Sequence, residues 1–135
     1  MSKFNEGEAK IAIEHYKKLL ADGIKPESIA IISPYSAQVS LIRDLVSDHQ
    51  PQIPEINSID AFQGREKDVV ILSMVRSNSE GIVGFLSEMR RINVAMTRAK
   101  KQLVIIGDSE TLSRDPELSE LVKKKKFKIC VFYCF

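Results

Sequence analysis

Cysteine is scarce in this chain: the 135 residues contain only Cys130 and Cys134, both close to the carboxyl terminus. A structural zinc site takes four ligands, and the only histidines, His15 and His49, lie far from both cysteines in the sequence. The composition therefore argues against a structural zinc module. We expect both thiols to be reduced and without a special role.

Long apolar runs, a secretory signal and a strong charge imbalance are also missing. No segment approaches the roughly 20 apolar residues that a membrane helix needs, and residues 1–8 are too polar for a signal peptide. We therefore expect an intracellular protein, nuclear or cytoplasmic, with no membrane partner. The net charge of +2 is too small to predict nucleic-acid binding by itself.

What is present is an ordinary globular composition, with 44% hydrophobic and 28% charged residues. A chain of this length is expected to form one domain with a real core, and to be part of a larger protein. The apolar period changes repeatedly along it. Helical spacing predicts helices at 9–20, 36–48 and 88–99, and short apolar runs predict buried strands at 29–32, 55–59, 68–75 and 102–106.

Helices that alternate with buried strands predict an α/β fold with a parallel sheet. In such sheets ligands bind at the carboxyl ends of the strands, and Pro34 and Tyr35 directly follow the first predicted strand. The last run, 127–135, is aromatic and contains both cysteines. It is either a final strand or a segment foreign to the rest of the domain.

Two segments carry chemistry. The segment 57–66 puts a turn before an apolar strand, where the backbone of Gly64 could approach a phosphate and the Glu66 carboxylate could reach a hydroxyl group. The segment 90–98 ends a predicted helix in Arg98, and arginine is the residue type that stabilises charge on a transferring phosphoryl group.

Three separated regions together resemble superfamily 1 helicases. Residues 31–38, 60–78 and 84–98 match, in order and spacing, motifs IV, V and VI of the branch that includes the nonsense-mediated-decay helicase and, closer to this chain, the immunoglobulin mu-binding helicase. The resemblance implies the second helicase domain, a RecA-like (P-loop NTPase-type) parallel sheet with helices on both faces. That domain would span residues 1–113, with 114–135 as its C-terminal helix and an atypical tail.

The resemblance also implies roles for single residues. Arg98 would be the catalytic arginine finger, and the ATP-binding residues would be Gly64, Arg65, Glu66 and Arg98. Nucleic-acid contacts or supports would be Pro34, Tyr35, Gln38, Ser58, Asp60, Arg76, Ser77 and Asn78. We expect Gly64, Glu66 and Arg98 to converge on one edge of the sheet.

Simpler interpretations stay open beside these roles. Tyr35 could pack in the core, Asp60 and Glu66 could be solvated surface acids, and at least one of Arg90 and Arg91 could be an ordinary helix-surface charge. The lysine run 123–126 is more typical of a solvated helix end than of a phosphate contact.

The implied ligands are ATP with Mg²⁺, bound mainly by a preceding RecA-like domain, and single-stranded DNA or RNA. The implied partner is that preceding domain, in a monomeric protein. No phosphate-binding Gly-x-x-x-x-Gly-Lys-Ser/Thr loop and no Asp-Glu pair after an apolar strand occurs, so we expect no metal site and no ATP hydrolysis by this chain alone. A nucleic-acid-binding or regulatory module without turnover is the alternative. A purely structural domain of flavodoxin-like shape would not explain why Gly64, Glu66 and Arg98 occur together.

Overall fold

A five-stranded sheet, in which every neighbouring pair is parallel, organises the molecule. The computed structural model describes residues 4–47, 54–62, 65–75, 91 and 94–107, and the backbone of 128–133. The strands are β1 (Ile29–Ser33), β2 (Glu55–Ser58), β3 (Lys67–Ser73), β4 (Ala99–Gly107) and β5 (Lys128–Tyr133), in the spatial order β2-β1-β3-β4-β5. This arrangement confirms the parallel α/β fold of RecA-like type.

Two long helices precede and follow β1. Helix α1 (Glu6–Ala21) begins at Asn5, whose side chain accepts a hydrogen bond from the backbone N–H of Glu8. It ends before Gly23, whose φ of 94° is a left-handed conformation that glycine adopts without steric cost. Helix α2 spans Ser36–Ser47. None of the helices in the described ranges is long and apolar enough to cross a bilayer.

The strands carry apolar side chains on both faces of the sheet, and each face is buried in a separate hydrophobic cluster. Alternate strand residues such as Ile31 and Ile71 pack against α1 and α2 in one buried cluster. The intervening residues, such as Ile32 and Leu72, pack against Phe62 and other apolar side chains on the opposite face. The second cluster also contains Ile59, Met74, Ala95 and Met96. The connections that lead into β3 and β4 are therefore held on the same face of the sheet.

Some predicted boundaries were wrong. The helix predicted over 88–99 does not continue to Ala99: residues 94–96 are helical, Thr97 and Arg98 form a turn, and β4 begins at Ala99. The cause is long-range, because Ala99 pairs with Lys67 of β3 and helical spacing carries no information about that partner. The strand predicted over 68–75 begins one residue earlier and ends at Ser73.

The segment 127–135 was expected to be either a final strand or foreign to the domain, and the structure shows a strand there, β5. Strand β5 pairs with β4 in parallel from Gln102 opposite Lys128 to Gly107 opposite Tyr133. The tail therefore extends the sheet. The lysine run 123–126 lies outside the described residues, so its predicted helix-end position stays a prediction.

Candidate functional site at two edges of the sheet

The connection from β2 to β3 starts at the carboxyl edge of the sheet. The backbone N–H of Ile59 donates to the carbonyl of Ser33, the last residue of β1, at 3.1 Å. The Ser58 hydroxyl accepts from the N–H of Ala61 at 3.2 Å and so caps a 3₁₀ turn over Asp60–Phe62. These contacts position Ser58 and Asp60 at the carboxyl ends of the strands.

Asp60 has a specific partner. The Arg91 guanidinium donates from Nε to Oδ1 at 2.9 Å and from Nη2 to Oδ2 at 2.6 Å, a bidentate pair between the two connections on this face. Both side chains are exposed, so the pair adds little stability. Its geometry nevertheless favours a linking role for Asp60 over that of an isolated surface acid.

Glu66 and Arg98, two of the residues predicted to bind ATP, lie at the opposite edge of the sheet, the amino edge, where the strands begin. Lys67 and Ala99 are paired at the beginnings of β3 and β4, and the Lys67 N–H donates to the Arg98 carbonyl at 3.1 Å. Glu66 and Arg98 therefore lie side by side, each directly before its strand. The two residues share one edge, as expected. Gly64 is outside the described residues, so its part of that expectation stays a prediction.

Arg98 and Glu66 both have side-chain polar atoms that no residue in the described ranges satisfies. The Arg98 Nε atom is buried and has no hydrogen-bond acceptor among the described residues. The Glu66 carboxylate is exposed and makes no hydrogen bond or ion pair with any residue in the described ranges. A buried guanidinium nitrogen without an acceptor is costly, whereas an anion from outside the domain would satisfy it.

The Arg65 guanidinium contacts three residues of the domain. Its guanidinium forms an ion pair with Glu55, donates to the Ala61 carbonyl at 3.3 Å, and lies 5.7 Å from the centre of the Phe62 ring. These contacts hold Arg65 at the amino edge next to Glu66. They place Arg65 next to the other residues for which the resemblance implies ATP binding.

At the carboxyl edge, Tyr35 and Gln38 are more buried than a direct ligand contact requires. Tyr35 is only 9% exposed, which favours the packing alternative. The Gln38 amide is fully buried: it donates to the Asn5 carbonyl at 3.0 Å and to the Ser73 hydroxyl at 3.1 Å, and it accepts from the Asn5 N–H at 2.8 Å. Gln38 therefore fits a supporting role. Pro34 is partly exposed beside Tyr35.

Several predicted residues cannot be compared with the structure. Those outside the described residues are Gly64, Arg76, Ser77, Asn78 and Arg90. Their roles stay predictions. Within the described ranges no group of three or more His, Cys, Asp or Glu side chains could hold a metal ion.

Sequence reasoning missed Glu8. This carboxylate is 1% exposed and accepts from the Ser73 hydroxyl at 2.8 Å and from the Val75 N–H at 3.0 Å. A signal was present, because Glu8 lies four residues before Ala12 and therefore on the apolar side of α1. An acid at an apolar helical position indicates either a boundary error or a buried partner.

Comparison with known proteins agrees with the fold and with the helicase resemblance. A family described as "AAA domain" matches residues 1–110. DNA polymerase alpha-associated DNA helicase A of Saccharomyces cerevisiae is 53% identical over 114 residues, which cover 84% of this chain and 17% of that protein. DNA-binding protein SMUBP-2 of Rattus norvegicus is 48% identical over 121 residues, 90% of this chain and 12% of that protein. ATP-dependent helicase NAM7 of S. cerevisiae is 43% identical over 120 residues, 84% of this chain and 12% of that protein.

The parallel sheet with covered faces and the match to the family model define the class as an AAA-type α/β domain. Within that class, the chain belongs to the superfamily 1 helicases of the Upf1-like branch, close to the SMUBP-2 type. The resemblance to this helicase family is thereby confirmed. The chain spans no more than 17% of the length of the three relatives named above.

Proposed function

We propose that this chain is the C-terminal motor lobe of an ATP-dependent DNA or RNA helicase, and that Arg98 is its arginine finger. The observation that carries the proposal is the buried Arg98 Nε, which has no acceptor in the described part of the chain, next to the exposed carboxylate of Glu66 at the same edge. Leaving a buried donor unpaired costs roughly 1–3 kcal/mol. An anionic ligand that arrives from another domain would remove that cost.

The residues at the amino edge fit the β- and γ-phosphate side of a nucleotide. Arg98 offers a fixed positive charge, Glu66 an acceptor for sugar hydroxyls, and Arg65 a second guanidinium held in place by Glu55. In this proposal Mg²⁺ would be held by the preceding RecA-like domain together with most of the nucleotide, because this sequence has no phosphate-binding loop and no acid pair after an apolar strand. When bound, ATP with Mg²⁺ supplies the phosphoryl-transfer chemistry.

The carboxyl edge would carry the single strand, with Ser58, Asp60 and the segment after β3 among its contacts or supports. The bidentate contact of Asp60 with Arg91 supports a link between the two edges, since Arg91 precedes Arg98 in the same connection. The protein would act as a monomer inside the cell, in the nucleus or cytoplasm. Closure of the two lobes around ATP would couple hydrolysis to movement along the strand.

The decisive test is Arg98→Ala in a protein that joins this chain to its preceding nucleotide-binding domain. We expect ATP turnover to fall by about a thousand-fold or more, with nucleotide and single-strand affinities close to those of the unmodified protein. An arginine finger meets charge that develops in the transition state, so its loss affects rate before affinity. The measurements are steady-state hydrolysis and equilibrium binding of the same preparations.

Lys100→Ala is the matched control, because Lys100 is an exposed cation two positions after Arg98, in β4. This variant should hydrolyse ATP at the unmodified rate. If Arg98 were only structural, Arg98→Ala would lower the melting temperature and reduce every activity in proportion. Unmodified turnover from a well-folded Arg98→Ala protein would remove Arg98 from the mechanism.

A further inference from the structure

A buried polar network connects three elements at the carboxyl edge, and no step of the proposed function uses it. Its centre is the Ser73 hydroxyl at the end of β3, which donates to the Glu8 carboxylate of α1 at 2.8 Å and accepts from the Gln38 amide of α2 at 3.1 Å. All three residues are at most 1% exposed. A charged side chain is rarely buried this completely unless its partners require it there.

The same Glu8 oxygen that accepts from Ser73 also accepts from the backbone N–H of Val75, at 3.0 Å. Val75 has φ 69°, in the left-handed region that a β-branched residue rarely adopts. A strained backbone of this kind persists only where surrounding contacts hold it, and strain of this type clusters at functional sites. The Glu8 hydrogen bond is one such contact.

Gln38 extends the network to the residue that precedes α1 and to the turn that precedes α2. Its backbone N–H donates to the Tyr35 carbonyl at 3.1 Å, and its side chain both donates to and accepts from the backbone of Asn5. The start of α1, the turn at Tyr35 and the end of β3 therefore form one connected unit. The next residue in the chain after Val75 is Arg76, the first of the predicted nucleic-acid residues that follow β3.

We propose that Glu8 is a positioning residue for single-strand binding: its carboxylate holds Val75 in the left-handed conformation and so sets the direction in which the chain leaves β3 toward Arg76. The inference rests on the proposed single-strand interface. Glu8 itself does not contact the strand, because it is buried. It acts through the backbone of Val75 and through Ser73.

The test uses the full chain and two fluorescent probes, labelled oligothymidylate and labelled oligouridylate, whose binding is followed by anisotropy. We expect Glu8→Ala to weaken binding of the oligonucleotide that the unmodified chain prefers by about tenfold, because the Val75 N–H loses its hydrogen bond to a charged group. Glu14→Ala, an exposed glutamate on the same helix, is the control and should bind as the unmodified chain does. All affinities are measured well below the melting temperature of every variant, so that stability differences do not enter.

A double-mutant cycle with Arg76→Ala separates positioning from a general structural effect. If Glu8 acts through the chain that leaves β3, Glu8→Ala should weaken binding much less in the Arg76→Ala background than in the unmodified chain. Two independent losses that multiply would overturn the inference. Amide hydrogen exchange at Val75 should be faster in Glu8→Ala than in Glu14→Ala, and unchanged exchange would also overturn it.

If Glu8→Ala does not fold, Ser73→Ala takes its place, because it keeps the charge and removes the hydroxyl that orients the Glu8 oxygen bound to the Val75 N–H. We expect weaker oligonucleotide binding from the folded Ser73→Ala chain, and unchanged affinity would contradict the proposal. Two failures are distinguishable. If the unmodified chain binds neither probe, the proposed single-strand interface fails and this inference with it; if it binds and Glu8→Ala binds equally well, only the inference fails.

Discussion

Two buried polar groups in this domain differ in how their hydrogen-bonding capacity is met. Glu8 accepts two hydrogen bonds on one oxygen, whereas Arg98 has a buried Nε without an acceptor in the described part of the chain. Buried polar groups in folded proteins are nearly always paired, so an unpaired one calls for an explanation. We explain the burial of Glu8 by its hydrogen bonds within the domain, and the unpaired Nε of Arg98 by a ligand that binds from outside the domain.

Tyr16 allows a test of burial at a single residue. This side chain is fully buried in α1, and burial raises the pKa of its phenol above the usual value of 10.0. The raised pKa in the folded chain means that the protonated phenol contributes stability. That contribution is complete below pH 10.0 and decreases as the pH rises through the folded-state pKa.

We therefore expect the free energy of unfolding to fall more steeply above pH 10.0 in the unmodified chain than in Tyr16→Phe. Denaturant titrations at a series of alkaline pH values measure this difference. Tyr16→Phe is compared with itself across the series, so a constant loss from the missing hydroxyl does not affect the slope. Parallel pH profiles for the two proteins would contradict the assignment.

At the scale of elements, one arginine attaches an edge strand to the helix that precedes it. Arg43 of α2 donates to the Ile56 carbonyl of β2 from Nε at 3.0 Å and from Nη2 at 2.6 Å, and to the Asn57 side-chain oxygen at 2.8 Å. Among the described strands β2 lies at one end of the sheet order. A guanidinium on its carbonyl satisfies that acceptor and obstructs pairing with another strand.

We expect Arg43→Ala to lower the free energy of unfolding by about 1–2 kcal/mol, because hydrogen bonds to charged groups contribute about 1.5–3 kcal/mol and exposure of the Arg43 side chain to solvent reduces this. Local opening should concentrate in β2, so amide exchange should accelerate at residues 55–58 more than in β3. Lys18→Ala, an exposed cation on α1, serves as the control. Equal stability of the two variants would show that the Arg43 contacts contribute nothing measurable.

At the scale of the whole molecule, the two edges of the sheet have different proposed roles: the amino edge contacts the nucleotide and the carboxyl edge contacts the single strand. Glu66 and Arg98, the residues proposed to meet the nucleotide, lie at the amino ends of β3 and β4, and Ser58, Asp60 and the Glu8 network lie at the carboxyl ends. If the amino edge supplies only part of a nucleotide site, as we propose, a second domain has to close on it to complete that site. Turnover should therefore belong to the pair of domains.

The purified chain should show no ATP hydrolysis above background, with or without single-stranded nucleic acid, because its sequence contains no phosphate-binding loop and no magnesium-binding acid pair. Adding the separately purified preceding domain should produce turnover, and the Arg98→Ala chain should not support it. Phosphate release assays on the three mixtures measure this. Turnover by the chain alone that Arg98→Ala abolishes would refute the division of roles.

Much of the fold was predictable because its cause is local. The apolar runs at 29–32 and 102–106 predict buried strands, and both became strands of the parallel sheet. Helical spacing likewise predicted α1 and α2 within a few residues. The motif segments were sufficient to indicate the helicase family, since their order and spacing are properties of the chain itself.

What only the tertiary structure decided is which distant residues meet. The pairing of Lys67 with Ala99 brings Glu66 beside Arg98 and ends the preceding helix, and the packing of α1 on β3 brings Glu8 to Ser73 across 65 residues of sequence. Propensity and periodicity describe neighbours along the chain. Sheet register and buried hydrogen bonds depend on partners far along it, and a sequence pattern carries no information about those distances.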